Sequence, residues 1–295
     1  MKCCVTEIPY AGGYSPYTKI VTVRSPWLSM NPLPTYFVSH GGGPWPFMKN
    51  EYGKTYLKLN IALQDIVRQI GTTPKAILLI SAPWEEPEFT LMSSSAPGMI
   101  YDYKGFPDYT YQISYPAPGS PALAAQVKAL LDDAGITARL DDQRGFDHGM
   151  YSALYPMYPN ADVPVVQLSL KKQLDPETHL ALGRALEPLR HEGVLIIGSG
   201  LSFHNLRIFG PNGYGASAAF DAWLQTTLIQ SDPAQRNDLL KNWSQAPSAR
   251  EAHPREEHLL PLMVAVGAAE AEAASCFYHE TSFFGWLTVS SFRFG

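Results

Sequence analysis

Residues 194–207 read Val194-Leu-Ile-Ile-Gly-Ser-Gly-Leu-Ser-Phe-His-Asn-Leu-Arg207. The apolar, partly β-branched start of this stretch has the length and composition of a strand buried on both faces. Glycines then lead the chain out of the strand to His204. In α/β sheets, ligands bind at the carboxyl ends of the strands. The stretch therefore predicts a central strand and, at its exit, a candidate functional histidine.

Similar apolar runs alternate with helix patterns along the rest of the chain. The predicted strands are Val194–Gly198, Tyr36–Ser39, Ala76–Ala82 and Val163–Leu170, with two late strands at 274–279 and 288–294. Helices are predicted at 52–70, 121–134 (with Ser120 as N-cap and Pro121 at the first position), 175–190, 216–229 and 254–269. Such alternation predicts the α/β class: a single domain with a largely parallel or mixed sheet and helices on both faces. Residues 1–33 are predicted to be an N-terminal extension and residues 34–295 the α/β domain.

Composition narrows the class of protein. The 295 residues are 45% hydrophobic and 17% charged, which excludes a disordered chain. The net charge of −5 gives no support to nucleic-acid binding. No apolar run reaches membrane-spanning length, and the N-terminus lacks a signal-peptide core, so neither a membrane partner nor secretion is expected. Three sparse cysteines fit a reducing compartment and predict a cytoplasmic protein. The oligomeric state stays open.

Histidines beside glycine-rich turns are the candidate site residues. His40 follows a strand and precedes three glycines, which leave it open to a pocket. His148 lies in the glycine-flanked turn Gly145-Phe-Asp-His-Gly149. His253 and His258 lie five residues apart, which is not the i, i+4 spacing of two histidines on a zinc-binding helix. One of the two could therefore be a ligand while the other caps a helix or is solvated. His179 and His191 are predicted on a helix surface, and His279 is predicted to be structural.

Five motifs in order resemble the class III extradiol ring-cleavage dioxygenases. They are SHGGGP around His40, YPAPGSPALA from Tyr115, GFDHG around His148, GSGLSFHNLR around His204 and REEHLLPLMVAVGAA after His253. The most similar subgroup is the DOPA 4,5-dioxygenase-like proteins, which are related to the catalytic subunit of protocatechuate 4,5-dioxygenase. The resemblance runs from about Thr35 to the C-terminus.

The resemblance implies an enzyme that opens a catechol-like aromatic small molecule with O2. It implies a mononuclear non-haem Fe(II), sometimes replaced by zinc in preparations. His40 and His258 match the metal ligands of the family. His204 matches its acid/base residue, and His148 matches a histidine of the substrate pocket. Neutral imidazoles are suitable ligands for Fe(II).

The chain departs from the family pattern at one metal ligand. The family's second strand usually ends Ser-Ala-His-Trp, whereas this chain has Ser-Ala-Pro-Trp with Pro83 at the ligand position. Proline offers no donor atom, and a facial triad needs three protein donors. Glu85, two residues further along an extended strand, is one candidate replacement. The alternative is an enzyme that binds no metal and uses the same histidines for non-oxidative lyase, hydrolase or isomerase chemistry.

Overall fold

The computed structural model describes residues 31–295 of the chain. The predicted N-terminal extension therefore lies almost entirely outside the described residues, and its boundary at residue 34 stays a prediction. The described part contains eight strands in one sheet. They are β1 (Thr35–Ser39), β2 (Ala76–Glu86), β3 (Phe89–Met92), β4 (Ala138–Asp141), β5 (Val165–Lys171), β6 (Val194–Gly200), β7 (Ala274–Phe283) and β8 (Leu287–Phe294).

Nine α-helices accompany the sheet within residues 31–295. They are α1 (Lys49–Tyr52), α2 (Leu57–Ile70), α3 (Pro121–Asp133), α4 (His148–Met157), α5 (Pro176–Leu186), α6 (Tyr214–Gln225), α7 (Pro233–Lys241), α8 (Ala249–Ala252) and α9 (Leu260–Gly267). A π-helical turn, Thr226–Gln230, prolongs α6. In this part of the chain, no helix combines the length and the apolar character that crossing a bilayer requires.

The strand order is β4-β3-β5-β2-β6-β1-β8-β7. The four central strands β5, β2, β6 and β1 are mutually parallel, whereas β3 and β8 join them antiparallel. The prediction of an α/β domain with a largely parallel or mixed sheet is confirmed. Because the central strands run the same way, their carboxyl ends meet at one edge of the sheet, as a ligand site in this class of fold requires.

Helices cover both faces of the sheet, and two neighbours on β6 show it. Gly198 faces α9 so closely that a Cβ built on it would lie 2.2 Å from the carbonyl oxygen of Pro261. The next residue, Ser199, points the other way and donates its hydroxyl to the carbonyl oxygen of Gly149 on α4, at 2.5 Å. Successive side chains of a strand point to opposite faces. Helices α9 and α4 therefore pack on opposite sides of the sheet.

Strand β2 is bulged where it leaves the centre of the sheet. Ser81 pairs with both neighbouring strands, but the register with β5 then jumps so that Glu85 follows in the ladder. Three residues, Ala82 to Trp84, are thus skipped by the pairing with β5. Bulges of this kind are common beside active sites, because they redirect side chains.

Two local predictions were wrong. The helix predicted from 254 begins only at Leu260, and residues 254–259 form bends and turns. Pro261 fits the first turn of a helix but would disrupt the interior of one that began at 254. The predicted turn at His148 is instead the first residue of α4. Asp147 is its N-cap and accepts the backbone N–H of Met150 at 3.3 Å.

Candidate functional site

The carboxyl ends of β1 and β6 bring the first histidine to the site. His40 follows β1 directly, and its backbone N–H donates to the carbonyl oxygen of Gly200, the last residue of β6, at 3.1 Å. The His40 side chain is fully buried. Its position at the end of a central parallel strand agrees with the prediction from the sequence.

Ser199 sets the proton position on the His40 ring. The Ser199 hydroxyl has one proton, which it donates to the carbonyl oxygen of Gly149. Nδ1 of His40 lies 3.1 Å from the same hydroxyl oxygen, so Nδ1–H must be the donor in that contact. Nε2 then carries the lone pair, and this buried atom has no hydrogen-bond partner among the described residues. An orphaned, buried imidazole nitrogen of this kind fits a metal ligand.

Glu257 contacts two further histidines, His204 and His258. One of its oxygens, Oε1, lies 3.0 Å from Nδ1 of His258 and 3.0 Å from Nδ1 of His204. The two imidazoles stack with ring centroids 3.5 Å apart. Hydrogen bonds from both rings to one carboxylate place their protons on Nδ1 and leave Nε2 of each ring as a lone-pair donor. His204, Glu257 and His258 also form a group whose potential ligand atoms all lie within 4.8 Å of one another.

Asp102 holds the fourth histidine, at the N-terminus of α4. Its Oδ2 lies 2.8 Å from Nδ1 of His148, and its Oδ1 accepts the backbone N–H of the same residue at 3.0 Å. The His148 side chain is 15% exposed and meets the ring of His40 edge to face, at 5.2 Å between centroids. His148 therefore lies at the rim of the site, with one edge toward His40.

All four predicted site histidines lie in one cluster. The ring of His40 is 5.2 Å from those of both His148 and His258, and His204 stacks on His258. Burial lowers the pKa of His40 well below its usual range, and the neighbouring imidazoles lower it further. Burial also lowers the pKa of His258 to about 4, although its hydrogen bond to Glu257 acts in the opposite direction. These two rings are therefore neutral at physiological pH, the form that binds a metal.

Burial by itself would raise the pKa of Glu257. The hydrogen bonds from His204 and His258 outweigh this effect and hold the pKa of the Glu257 carboxyl well below its ordinary value. The side chain is therefore a carboxylate and places a negative charge beside two imidazoles. Glu257 was not predicted as a site residue from the sequence, although its position directly before His258 was the available signal.

Pro83 lies next to the cluster, inside the bulge of β2. Its Cδ would be 2.9 Å from a Cβ built on Gly149, the residue whose carbonyl oxygen accepts the Ser199 hydroxyl. Glu85, the candidate replacement ligand, is engaged elsewhere. Both of its oxygens accept hydrogen bonds from the guanidinium of Arg255, and Oε2 lies 2.5 Å from Nη2. The carboxylate that contacts both His204 and His258 is instead that of Glu257.

Two other histidines belong to the scaffold. His253 is fully buried at the end of α8, and its Nε2 lies 3.0 Å from the carbonyl oxygen of Ser202. His179 was predicted to be solvated, and that prediction was wrong. Its side chain is fully buried, and both ring nitrogens have backbone partners. Nδ1 lies 2.7 Å from the carbonyl oxygen of Asp175, and Nε2 accepts the backbone N–H of Lys171 at 3.3 Å.

The remaining two histidines lie outside the cluster. His191, predicted on a helix surface, is partly exposed, with Nε2 2.9 Å from Oε1 of Glu187. His279, predicted to be structural, lies on β7 with its Nδ1 3.0 Å from the Ser290 hydroxyl. Neither residue contacts the four clustered rings.

Comparison with known proteins gives the family. Residues 35–291 match the model described as the catalytic LigB subunit of aromatic ring-opening dioxygenase. The chain is 39% identical over 264 residues to a 4,5-DOPA dioxygenase extradiol of Beta vulgaris, covering 88% of this chain and 96% of the relative. It is 33% identical over 273 residues to a 4,5-DOPA dioxygenase extradiol of Escherichia coli K12, covering 91% and 97%. A third relative, the dioxygenase tasH of Hapsidospora irregularis, is 36% identical over 82% of this chain and 80% of its own.

A solved structure agrees with this assignment. The crystal structure of an uncharacterized protein from Escherichia coli K12 superposes with a TM-score of 0.71 at 30% identity, covering 89% of this chain and all of that one. The family match spans most of the chain, and the relatives are matched over most of their own length. The chain therefore belongs to the LigB family of aromatic ring-opening dioxygenases, and it is a ring-cleavage dioxygenase-like enzyme.

Proposed function

We propose that the chain opens a catechol-like aromatic ring with O2 at a mononuclear non-haem metal held by His40 and His258. The observation that carries this proposal is the lone pair on Nε2 of His40, which is buried without a hydrogen-bond partner beside a second neutral imidazole. By analogy with the family the metal is Fe(II), or zinc as found in preparations. Such a centre supplies positions where both a catechol and O2 can bind.

The proposed ligands His40 and His258 are each held by a hydrogen bond at the ring nitrogen that would not bind the metal. Ser199 fixes the ring of His40 and Glu257 fixes that of His258, each by accepting a hydrogen bond from Nδ1–H. Outer partners of this kind orient metal-ligating imidazoles and raise their basicity. Pro83 supplies no third donor. The proposal therefore has two protein ligands, because His204 and Glu257, which form a potential ligand group with His258, are engaged with each other through Nδ1–H of His204.

His204 and His148 are the proposed acid/base residues. Each has Nδ1 directed at a carboxylate, Glu257 for His204 and Asp102 for His148. In the neutral form, each ring therefore presents Nε2 as a base. These two nitrogens can accept the protons that a catechol must lose, and return them to the product. Catalysis of this type typically contributes about 10²–10⁴-fold in rate.

The alternative is a metal-independent, non-oxidative enzyme that uses the same histidines. The relatives reported above are named as dioxygenases, so they give no support to it. The names of several relatives make DOPA the first catechol to test.

The test combines metal content with oxygen consumption. Protein without a polyhistidine tag is reconstituted anaerobically with Fe(II), and bound iron, O2 uptake and product mass are measured with DOPA and a panel of other catechols. We expect bound iron and a product heavier than the substrate by both oxygen atoms. Turnover that survives strong chelation and the removal of O2 would refute the proposal in favour of the non-oxidative enzyme. A His279→Gln variant, changed outside the cluster, is the control for the loss of a histidine as such.

A further inference from the structure

Asp102 binds the same residue, His148, at two points. Its Oδ1 accepts the backbone N–H, and its Oδ2 faces Nδ1 of the ring at 2.8 Å. The two residues are 46 positions apart in sequence. Two simultaneous contacts from one carboxylate fix both the backbone and the ring orientation of the partner.

The segment that carries Asp102 is itself attached to the chain just before α4. Ile100 donates its N–H to the carbonyl oxygen of Phe146 at 2.7 Å, and Phe146 donates to Gly98 at 2.8 Å. The first bond joins the residues two positions before Asp102 and His148, and the second joins Phe146 to a residue four positions before Asp102. The carboxylate is therefore held in register with the imidazole.

The ionised state of Asp102 determines which ring nitrogen of His148 carries the proton. Burial alone would raise the pKa of the Asp102 carboxyl, but its hydrogen bonds with His148 outweigh burial, and the net pKa lies below the ordinary value. A carboxylate only accepts hydrogen bonds. Nδ1 of His148 must therefore carry a proton, and in the neutral ring Nε2 is the free base.

Helix capping accounts for the Oδ1 contact alone, because the N–H of His148, the first residue of α4, has no acceptor within the helix. The N-cap of α4 is Asp147, whose Oδ1 already accepts the N–H of Met150 and the hydroxyl of Ser81. Asp147 is fully buried, whereas Oδ2 of Asp102 faces Nδ1 of the His148 ring. The contact of Oδ2 with the ring thus adds control of the His148 side chain, which capping does not require.

We propose that Asp102 is a positioning residue that selects the Nδ1–H tautomer of His148 and so presents Nε2 as the proton acceptor toward the substrate. This inference rests on the proposed function insofar as it gives His148 a proton-transfer role. A carboxylate behind a catalytic imidazole acts in this way in other enzymes, where its replacement by an amide produces the wrong tautomer.

The test is Asp102→Asn, which preserves size and shape. With the backbone N–H still donating to Oδ1, the amide NH₂ faces Nδ1 of His148 and must act as the donor. The proton of the neutral ring then moves to Nε2. In zinc-reconstituted, ¹⁵N-labelled protein, we expect the ¹⁵N shifts of His148 to change from the Nδ1–H to the Nε2–H pattern. In the iron-loaded enzyme, we expect kcat to fall about 100-fold or more, with KM and metal content little changed.

Three variants keep the result interpretable. Asp175→Asn alters a carboxylate that accepts the N–H of Thr178 at the start of α5, and it should change neither the His148 shifts nor kcat. Asp102→Glu keeps the charge and should retain the Nδ1–H tautomer, even if Asp102→Asn folds poorly. In a His148→Gln background, Asp102→Asn should cause no further loss of kcat, because the aspartate acts through the histidine.

The two readouts separate this inference from the proposed function. An unchanged Nδ1–H tautomer in folded Asp102→Asn, or loss of that tautomer in folded Asp102→Glu, would overturn the role of Asp102. An additional loss of kcat in the His148→Gln background would overturn its action through His148. A wild-type protein that cleaves no catechol would refute the proposed function, while the shifts would still decide which tautomer Asp102 selects.

Discussion

His258 and His179 show that similar burial can serve different purposes. Both imidazoles lie almost entirely inside the protein, and burial lowers the pKa of each to about 4. His179 is bound at both nitrogens by backbone groups of its own neighbourhood, Asp175 and Lys171. His258 is bound through Nδ1 to Glu257 and lies within a cluster of other histidines. Burial, a low pKa and even an unpartnered ring nitrogen, which the scaffold residue His253 has at Nδ1, thus do not distinguish a site from the scaffold, whereas clustering with other imidazoles does.

The strongest test of this comparison makes the same change at both positions. We expect His258→Asn to lose bound metal and to lower the turnover of a catechol at least about 10³-fold, because a metal centre contributes several kcal/mol to the reaction. His179→Asn should retain both metal and turnover. Metal per chain and O2 uptake measure the outcome. Equal losses in the two variants would show that the comparison is wrong.

The second test concerns stability at low pH. His179 has a folded pKa of about 4 against an ordinary value of 6.5, so the unfolded chain takes up a proton first as the pH falls. Its contribution is fully present above pH 6.5 and is lost between pH 6.5 and about 4, up to about 3 kcal/mol in the free energy of unfolding. Urea unfolding across this range should therefore show a steeper loss for the wild type than for His179→Asn. Parallel curves would contradict the assignment.

The third test restores the missing imidazole. Pro83→His should raise the affinity for Fe(II) about 100-fold, since a third protein donor completes a facial set. Glu88→His, which places a histidine at an exposed position just beyond β2, should leave the affinity unchanged. Anaerobic metal titration measures both. Unchanged binding in folded Pro83→His would show that residue 83 does not face the cluster.

The smallest expected effect is on metal affinity when Ser199, which contacts Nδ1 of His40, is changed. Ser199→Ala removes the oxygen that orients Nδ1–H of His40, and we expect metal affinity to fall about tenfold. Ser291→Ala removes a buried hydroxyl that accepts the N–H of Ser39 at 3.0 Å, and it should affect stability but not metal binding. Competition with a chelator of known affinity separates the two. A similar loss of metal in both variants would assign the effect to general loosening of β1.

The parts of the fold that were predictable have local signals. Strands β1 and β6 are apolar runs followed by glycine, and α3 begins where Ser120 and Pro121 indicate. Strands β3 and β4 were missed because four residues are too few to establish a period.

The histidines of the site were predictable, but their partners were not. His40 and His204 follow strand exits, and the motifs indicated His148 and His258. Asp102 lies within an irregular segment, and only tertiary structure brings it to His148. His179 was misjudged because the packing of α5 against its neighbours, which no local pattern encodes, decides which face of the helix is buried.

The bulge in β2 separates residue 83 from the strand pairing of the sheet. Pro83 has no backbone N–H, and the pairing of β2 with β5 skips its position. Residue 83 therefore contributes little to the ladder that holds the central strands, although it adjoins the histidine cluster. A substitution there can change the chemistry of the site while the sheet remains intact. A histidine can therefore be gained or lost at this position without a change in the pairing of β2 with β5.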